Sequence, residues 1–430
     1  MSKANRPSFV FILADDLGYA DLGCYGGRGA CSPNLDRMAA DGLRFTDGYA
    51  NSAVCSPTRF ALATGRWQYR LRGGADEPIA SRSRGSSLLG LPPGHPTLAS
   101  LLRDAGYATA LVGKWHLGFA PQFGPLKSGY DEFFGPMSGG VDYFTHCDSS
   151  GAHDLYDGDK EAHRTGYLTD LLTERAIEFV GRQDRKPFLL SLHYTAPHWP
   201  WETRGDEQES KRITKLSHAD GGSLETYLEM IRIMDAGIGR LLAHLGENTL
   251  VVFTSDNGGE RWSDSWPLIG KKMDLLEGGI RVPYIARWPA GMAKGQTTAQ
   301  FAITMDWMAT FLDAADVAPH HDHPLDGRSL LGVLERPGDL LESELFWRMK
   351  FRDQKAMRSG NWKWLSIEGN EYLFDLSRDQ REQANLAKRE AAKFDEMKAR
   401  YAAWDRTLPP IPDDARVSLV YGPEDLPRPS

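Results

Sequence analysis

Six short apolar runs interleaved with stretches of helical periodicity fill the first three hundred residues. That alternation points to a mostly parallel sheet covered by helices on both faces. The runs are Phe9–Ala14, Leu43–Gly48, Tyr107–Gly113, Pro187–Tyr194, Thr249–Thr254 and Arg281–Arg287; the helical stretches lie near 34–41, 57–64, 97–105, 167–180, 223–245 and 304–315. After the loop His320-His-Asp-His-Pro324 come closely spaced strands, Leu345–Phe351, Lys355–Arg358, Trp362–Ile367 and Tyr372–Asp375, then a polar helix near 380–404. The expected organisation is an α/β domain over residues 1–320 and a small α+β subdomain of antiparallel strands and a helix over 321–430. With 430 residues, 41% hydrophobic and 25% charged, the chain can bury such a core, and the disordered and disulfide-scaffold classes are excluded.

Fifty basic residues against 58 acidic ones give a net charge of -8, so no global field attracts nucleic acid or an anionic membrane, and neither partner is expected. Cys24, Cys31, Cys55 and Cys147 show no CxxC pairing and no zinc spacing. The apolar run Phe9–Ala14 is too short for a signal h-region, and no stretch approaches the ~20 apolar residues of a membrane span. No asparagine begins an N-x-S/T sequon. A cytoplasmic location is expected, with a trimmed export signal as the alternative; oligomeric state is not legible.

Ligands of parallel α/β sheets bind beyond the carboxyl ends of strands, and those positions are unusually polar in this chain. The first strand ends in Asp15-Asp16, the Tyr107 strand in Lys114-Trp-His116, the Pro187 strand in His193 and Ala196-Pro-His198-Trp-Pro200, and the Thr249 strand in Asp256-Asn257. Asp15, Asp16, Asp256 and Asn257 make an all-oxygen set, three of them anionic, which suits a hard cation, Ca2+ or Mg2+, rather than zinc. Taken one at a time, such residues also serve as helix caps and turns. Lys114 and His116 are spaced i, i+2; in extended backbone they would share a face, one holding an anionic oxygen and the other moving a proton.

Cys55-Ser-Pro-Thr-Arg59 opens a helix, with Pro57 in its first turn, Phe60, Leu62 and Ala63 as its stripe, and Gly65 at its close. Cys55 at the positive helix end is expected to have a lowered thiol pKa, and Arg59 one turn later to offer a bidentate oxyanion donor. A buried cysteine before an ordinary helix would account for an isolated match. Cys31-Ser-Pro-Asn-Leu35 is an internal control, because it shares the opening but has a leucine where Cys55 has Arg59.

The Cys55-x-Pro57-x-Arg59 sequence resembles the motif of formylglycine-dependent (type I) sulfatases of the alkaline phosphatase superfamily, arylsulfatase-like enzymes in which the motif directs oxidation of its cysteine to an aldehyde. The resemblance extends over Ala14-Asp-Asp-Leu-Gly-Tyr19, Leu62-Ala-Thr-Gly-Arg66, Gly113-Lys-Trp-His-Leu-Gly118, Ala196-Pro-His-Trp-Pro200, Ser255-Asp-Asn-Gly-Gly259 and Glu277-Gly-Gly-Ile-Arg-Val-Pro283. It continues through Arg358-Ser-Gly-Asn-Trp-Lys363 and Leu373-Phe-Asp-Leu376. It implies an alkaline-phosphatase-like fold and a calcium ion (Ca2+, with Mg2+ the alternative) on Asp15, Asp16, Asp256 and Asn257, with the modified Cys55 as a further ligand. It makes Cys55, Arg59, Lys114, His116, His198 and Lys272 catalytic, Lys271 being the adjacent alternative to Lys272.

The reaction so implied is hydrolysis of a sulfate monoester, from a small molecule or a saccharide. A hydroxyl of hydrated formylglycine 55 attacks sulfur in line, while the cation, Arg59, Lys114 and Lys272 take up charge. His198 assists the leaving oxygen and His116 takes the proton that expels sulfate. A formylglycine-generating enzyme is the implied maturation partner. The alternatives are a phosphonate monoester or phosphodiester hydrolase, and a non-enzymatic anion-binding protein if Cys55 stays unoxidised. Trp67, Tyr69, Trp115, Trp199 and Trp201 are candidates for an aromatic pocket. Arg66, Arg70, Arg72, Arg82 and Arg84 read first as a solvated loop, with contact to a polyanionic substrate as the alternative.

Overall fold

The computed structural model describes residues 6–183 and 186–418. The first apolar run forms β1 (Ser8–Ala14), which sends Val10, Ile12 and Ala14 into one core and Phe9, Phe11 and Leu13 into another. Successive side chains of a strand point to opposite faces, so a continuous apolar run is one whose faces are both covered. The other strands of the catalytic part are β2 (Leu43–Phe45), β3 (Gly48–Tyr49), β4 (Ala108–Gly113), β5 (Glu132–Gly135), β6 (Tyr156–Asp157), β7 (Lys160–Glu161), β8 (Phe188–His193), β9 (Thr249–Ser255), β10 (Tyr284–Arg287), β11 (Gln296–Thr298) and β12 (Ala302–Ile303).

Ten of these build one sheet in the order β11-β2-β10-β9-β1-β8-β4-β5-β6-β7. Its centre, β9-β1-β8-β4-β5, is parallel throughout, whereas β10 runs antiparallel to both neighbours. The register sets Ala14 beside Ser255, and Leu13 and Gly113 on either side of His193. Four strands therefore end on one edge of the sheet.

The helices are α1 (Pro33–Ala40), α2 (Cys55–Thr64), α3 (Leu98–Asp104), α4 (Leu168–Gly181), α5 (Glu207–Arg212), α6 (Leu224–Leu242), α7 (Glu277–Ile280), α8 (Asp306–Ala314), α9 (Leu331–Glu335) and α10 (Ala391–Asp405). Buried residues of α1, α4 and α6 pack on one face of the sheet, and those of α3, α8 and α9 on the other. The six expected helices are all present. Among the described residues no helix is long and apolar enough to cross a membrane.

The departures have local causes. The run Leu43–Gly48 breaks after Phe45, because Gly48 and Tyr49 pair with Ala302 and Ile303 in a separate two-stranded sheet. The run Arg281–Arg287 becomes a strand only from Tyr284; the Glu277–Ile280 turn precedes it, and Pro283 has no N–H for a ladder. β5 escaped notice because four residues show no period.

Near the C-terminus, β13 (Glu344–Met349), β14 (Gln354–Ser359), β15 (Trp362–Ile367) and β16 (Asn370–Asp375) form an antiparallel meander, with α10 packed against it. The polar helix starts at Ala391 rather than near 380, since Asp379 and Asn385 spend their carboxylate and amide oxygens on nearby backbone N–H groups and hold the intervening chain in turns. Residues 419–430 lie outside the described residues. The small sheet shares one core with Val54, Cys55, Ala61, Leu275 and Ile280, so it backs directly onto the start of α2.

A buried ionic network ties the C-terminal sheet to α7 and to β3. Lys363 of β15, wholly buried, pairs with Glu277 at 2.9 Å and Glu382 at 2.8 Å, and Glu277 also accepts from Tyr49 Oη at 2.7 Å. Burial, opposed by Lys363 and reinforced by Glu277, pushes the Glu382 carboxyl up to about 7. Lys363→Met leaves Glu382 buried without its cation and Glu277 with only the Arg281 and Arg358 guanidiniums, each at 3.5 Å. A loss on the order of 3–5 kcal/mol is expected, read as a lowered thermal midpoint that adding Glu382→Gln partly restores. An unchanged midpoint in Lys363→Met would refute the structural role.

Candidate active site

The site is assembled where β1, β4, β8 and β9 end. Asp15 and Asp16 follow β1 and are buried, Asp16 with a left-handed φ of 64°. Asp256 and Asn257 follow β9, and Asp256 N–H donates to Ala14 O at 3.1 Å, which continues the ladder past the strand ends. Lys114 follows β4, and its ammonium lies 2.5 Å from Asp15 Oδ2. Lys272 lies 2.7 Å from Asp16 Oδ2, whereas Lys271 lines the mouth of a cavity. That resolves which of the adjacent lysines faces the carboxylates.

α2 begins at Cys55 itself, two residues earlier than the sequence reading, and Val54 supplies no side-chain cap. Cys55 is 1% exposed, and its sulfur lies within 4.8 Å of ligand atoms of Asp15, Asp16 and His198, each of which lies within that distance of the others. The expectation of a lowered thiol pKa is corrected. Burial, with the carboxylates of Asp256 and Asp15, overrides Lys114 and Lys272 and pushes the Cys55 thiol up to about 12. A helix end favours charge only where desolvation does not cost more.

Arg59 also departs from expectation. Its Nε and Nη2 both donate to Asp256 Oδ2, at 3.0 and 2.8 Å, and its Nη1 donates to Lys114 O at 3.0 Å. The fork is therefore engaged with a carboxylate rather than held open for an oxyanion. His193, which the sequence reading left out of the site, backs Arg59 and Lys114 O through Nδ1 at 3.5 and 3.3 Å.

His116 is not in extended backbone; its φ is 58°, so the i, i+2 argument fails although the ring still reaches the cavity. His116 Nε2 lies 2.7 Å from Ile79 O, and a carbonyl only accepts, so that nitrogen carries the proton. Its Nδ1 is the unprotonated atom, buried and without a hydrogen-bond partner. His198 is the reverse, with Nδ1–H donated to Trp199 O at 2.7 Å and Nε2 set 3.6 Å from Asp16 Oδ2. Burial, reinforced by neighbouring lysines, holds both imidazoles well below the usual histidine range. Gly139 and Gly140 were missed as well: a Cβ on Gly139 would stand 2.4 Å from the His116 ring, and one on Gly140 3.0 Å from that of His198.

Three carboxylates face three cations here, and the carboxylates respond unequally. Burial would raise Asp16, but Lys272, His198 and Lys114 hold it down at about 2. Burial and the neighbouring Asp15 raise Asp256 to about 7 despite Arg59. Asp15 Oδ1 and Asn257 Oδ1 are buried without hydrogen-bond partners. Two orphaned oxygens beside crowded carboxylates fit a hard cation. His198 joins Asp15, Asp16 and Cys55 in the tightest group of potential ligands, and Asp256 lies beside it with Oδ2 in the Arg59 fork and Oδ1 accepting from Asp16 N–H at 3.4 Å.

Above the carboxylates opens a cavity of about 620 Å³, lined at its floor by Cys55, His116, His198 and Lys272. Of the five candidate aromatic residues only Trp199 lines it. Trp67 and Tyr69 pack on Trp404, Trp115 lies in a buried cluster beside Tyr130, and Trp201 stacks with His218. Four of the five segment arginines are engaged elsewhere: Arg66 at His323, Arg70 at Asp326, Arg72 at Asp76 and Asp414, and Arg84 at Asp148 and Asp154. Arg82 lines the cavity.

Carboxylates at the ends of adjacent parallel strands, a helix-start cysteine among them and lysines closing over them define a hydrolase of tetrahedral oxyanion esters on an alkaline-phosphatase-like fold. The sulfatase family model matches residues 7–317. The chain belongs to the sulfatase family and is a sulfuric ester hydrolase. It is 34% identical to human N-acetylgalactosamine-6-sulfatase over 366 residues, covering 79% of this chain and 68% of that one. To human arylsulfatase A it is 33% identical, covering 84% of this chain and 75% of the relative. The crystal structure of Ps i-CgsB in complex with k-i-k-neocarrahexaose superimposes with a TM-score of 0.81 at 30% identity, covering 93% of this chain and 92% of that one.

Proposed function

We propose that the protein removes sulfate from a sugar, and that residue 55 acts as formylglycine beside a calcium ion, with Mg2+ the alternative. The observation that carries this reading is the meeting of Cys55 with Asp15, Asp16 and His198 at the floor of a cavity large enough for a saccharide. Hydroxyls of Ser81, Ser149, Thr214 and Ser217 at the lining can bond a sugar's hydroxyls, and Trp199 offers a ring face for it to lie on. The names of the 34%-identical N-acetylgalactosamine-6-sulfatase and of the oligosaccharide complex of Ps i-CgsB support the same choice.

Asp15, Asp16, Asp256, Asn257 and residue 55 would hold the cation, which would supply Lewis acidity, and formylglycine at 55 would supply the oxygen nucleophile. Cys55 as a thiol is a poor nucleophile at a pKa of about 12, which accords with oxidation by a formylglycine-generating enzyme. Arg59 fixes Asp256 and so positions that carboxylate. Lys114 and Lys272 neutralise the sulfuryl oxygens at the floor. His116 Nδ1, with its lone pair free, removes the proton that lets sulfate depart. His198 Nε2 takes up a proton when the anionic ester lies against it and passes that proton to the leaving oxygen; Lys272, kept charged by Asp16, is the rival donor.

The test is a panel of sugar sulfates, aryl sulfates, a phosphonate monoester and a phosphodiester, given to protein whose residue-55 peptide shows the aldehyde by mass spectrometry. Sugar sulfates should have the highest kcat/KM; a phosphonate or phosphodiester in first place would overturn the reading. General acid assistance is worth ~10²–10⁴-fold and matters most where the leaving oxygen is basic. His198→Ala should therefore slow a sugar sulfate much more than nitrophenyl sulfate, whereas His116→Ala slows both alike. An unchanged ratio in His198→Ala moves the donor role to Lys272.

A further inference from the structure

The catalytic floor accounts for only one end of the cavity. At its mouth four cationic side chains, Arg82, Lys215, Lys271 and Arg352, face two acidic ones, Glu260 and Asp274. We propose that this mouth is a second anion subsite, in which Arg82 on one wall and Lys271 with Arg352 on the other hold an anionic group of the sugar next to the one losing its sulfate. The inference rests on the saccharide reading above and deepens it, since it makes the substrate an oligosaccharide with at least two anionic groups.

Both walls are built structures. On the first, Glu77 N–H donates to Arg416 O and Ser418 N–H to Glu77 O, each at 2.8 Å, which draws the chain's return segment alongside the Pro78–Arg82 stretch. Arg82 Nη2 then donates to Ser418 Oγ at 3.0 Å, a neutral partner, and among the described residues no carboxylate pairs with this guanidinium. Ser149 Oγ bonds to Ser81 Oγ at 3.2 Å beside it, so hydroxyls suited to a sugar flank the cation.

On the second wall Met273 and Arg352 hold left-handed φ values of 75° and 58°, costly for residues with side chains. Gln354, fully buried, enforces both turns. Its Nε2 donates to Met273 O at 2.8 Å and Phe351 O at 3.1 Å, and its Oε1 accepts from Leu275 N–H at 2.9 Å. One buried amide thus presents the loop bearing Lys271 and the turn bearing Arg352 to the same cavity. The Arg352–Glu368 contact, 3.3 Å between exposed groups, is too weak to hold that guanidinium away from a ligand. A volume of about 620 Å³ falls within the ~300–1,000 Å³ of pockets for ligands the size of a disaccharide.

The experiment compares three disaccharides with the same scissile sulfate and a neighbouring sugar that is sulfated, a uronate or neutral. The mature enzyme is set against Arg82→Gln, Arg352→Gln and the double variant Arg82→Gln/Lys271→Gln. The enzyme should prefer an anionic neighbour by about tenfold or more in kcat/KM, chiefly through KM, and this preference should shrink in each single variant and vanish in the double one. The neutral disaccharide should stay within about twofold throughout, which also reports intact folding. Preference for one anionic neighbour over the other identifies the group as sulfate or carboxylate. Equal rates on all three disaccharides, or equal losses on all three in the variants, would overturn the subsite while leaving the saccharide reading in place. No turnover of any sugar sulfate by the mature enzyme would overturn both.

Discussion

Cys55→Ala and Cys55→Ser lose sulfate-ester turnover on the order of 10⁴-fold or more, while Cys31→Ser stays within a few fold. The two cysteines share a Cys-Ser-Pro opening and near-complete burial, so the contrast isolates position. Cys55 lies at the start of α2 among Asp15, Asp16 and His198, whereas Cys31 sits in the core beside α1, its thiol donating to Asp21 O at 3.3 Å. A serine at 55 keeps size and hydrogen bonding but lacks the thiol on which the proposed formylglycine-generating enzyme acts. The measurement is kcat/KM on a sugar sulfate together with mass spectrometry of the residue-55 peptide. Equal losses at the two positions would remove the assignment of the nucleophile.

Asp256→Ala lowers metal affinity by on the order of 100-fold or more and takes most activity with it. One of three carboxylates disappears, and the same change leaves the Arg59 fork, fully buried, without the oxygen that accepts both of its parallel bonds. A guanidinium left with only the Asp15 carboxylate, 3.7 Å away, repels the ion that the lost carboxylate had attracted, so charge and coordination fail together. Asp256→Asn separates the two effects, because the amide oxygen still accepts one bond from Arg59 while the charge is gone. Elemental analysis after exhaustive dialysis reads the result. Full metal occupancy in Asp256→Ala would exclude this residue from the site.

Local pattern sufficed for the central strands β1, β4, β8 and β9 and for the polar residues at their ends. Apolar runs such as Phe9–Ala14 and Thr249–Thr254 must be covered on both faces, which specifies a parallel sheet, and a parallel sheet brings the residues after each strand to one edge. Asp15, Asp16, Lys114, His198 and Asp256 were legible for that reason, and the Cys55–Arg59 pattern was legible because its control at Cys31 lacks the arginine. Which of these side chains face one another follows from long-range packing. The pKa of Cys55 follows from burial among carboxylates contributed by β1 and β9, which no helix-end argument contains. Arg59 turns to Asp256, 197 residues away, and Glu277 to Lys363, 86 residues away. The free nitrogen of His116 is set by the carbonyl of Ile79, and Arg82 reaches the cavity because the distant Ser418 returns beside Glu77. Local periodicity encodes faces and ends, because those depend on neighbours in sequence. Partners of buried charges depend on contacts closed only after the chain has folded, and those contacts decide protonation, coordination and which side chains a substrate meets.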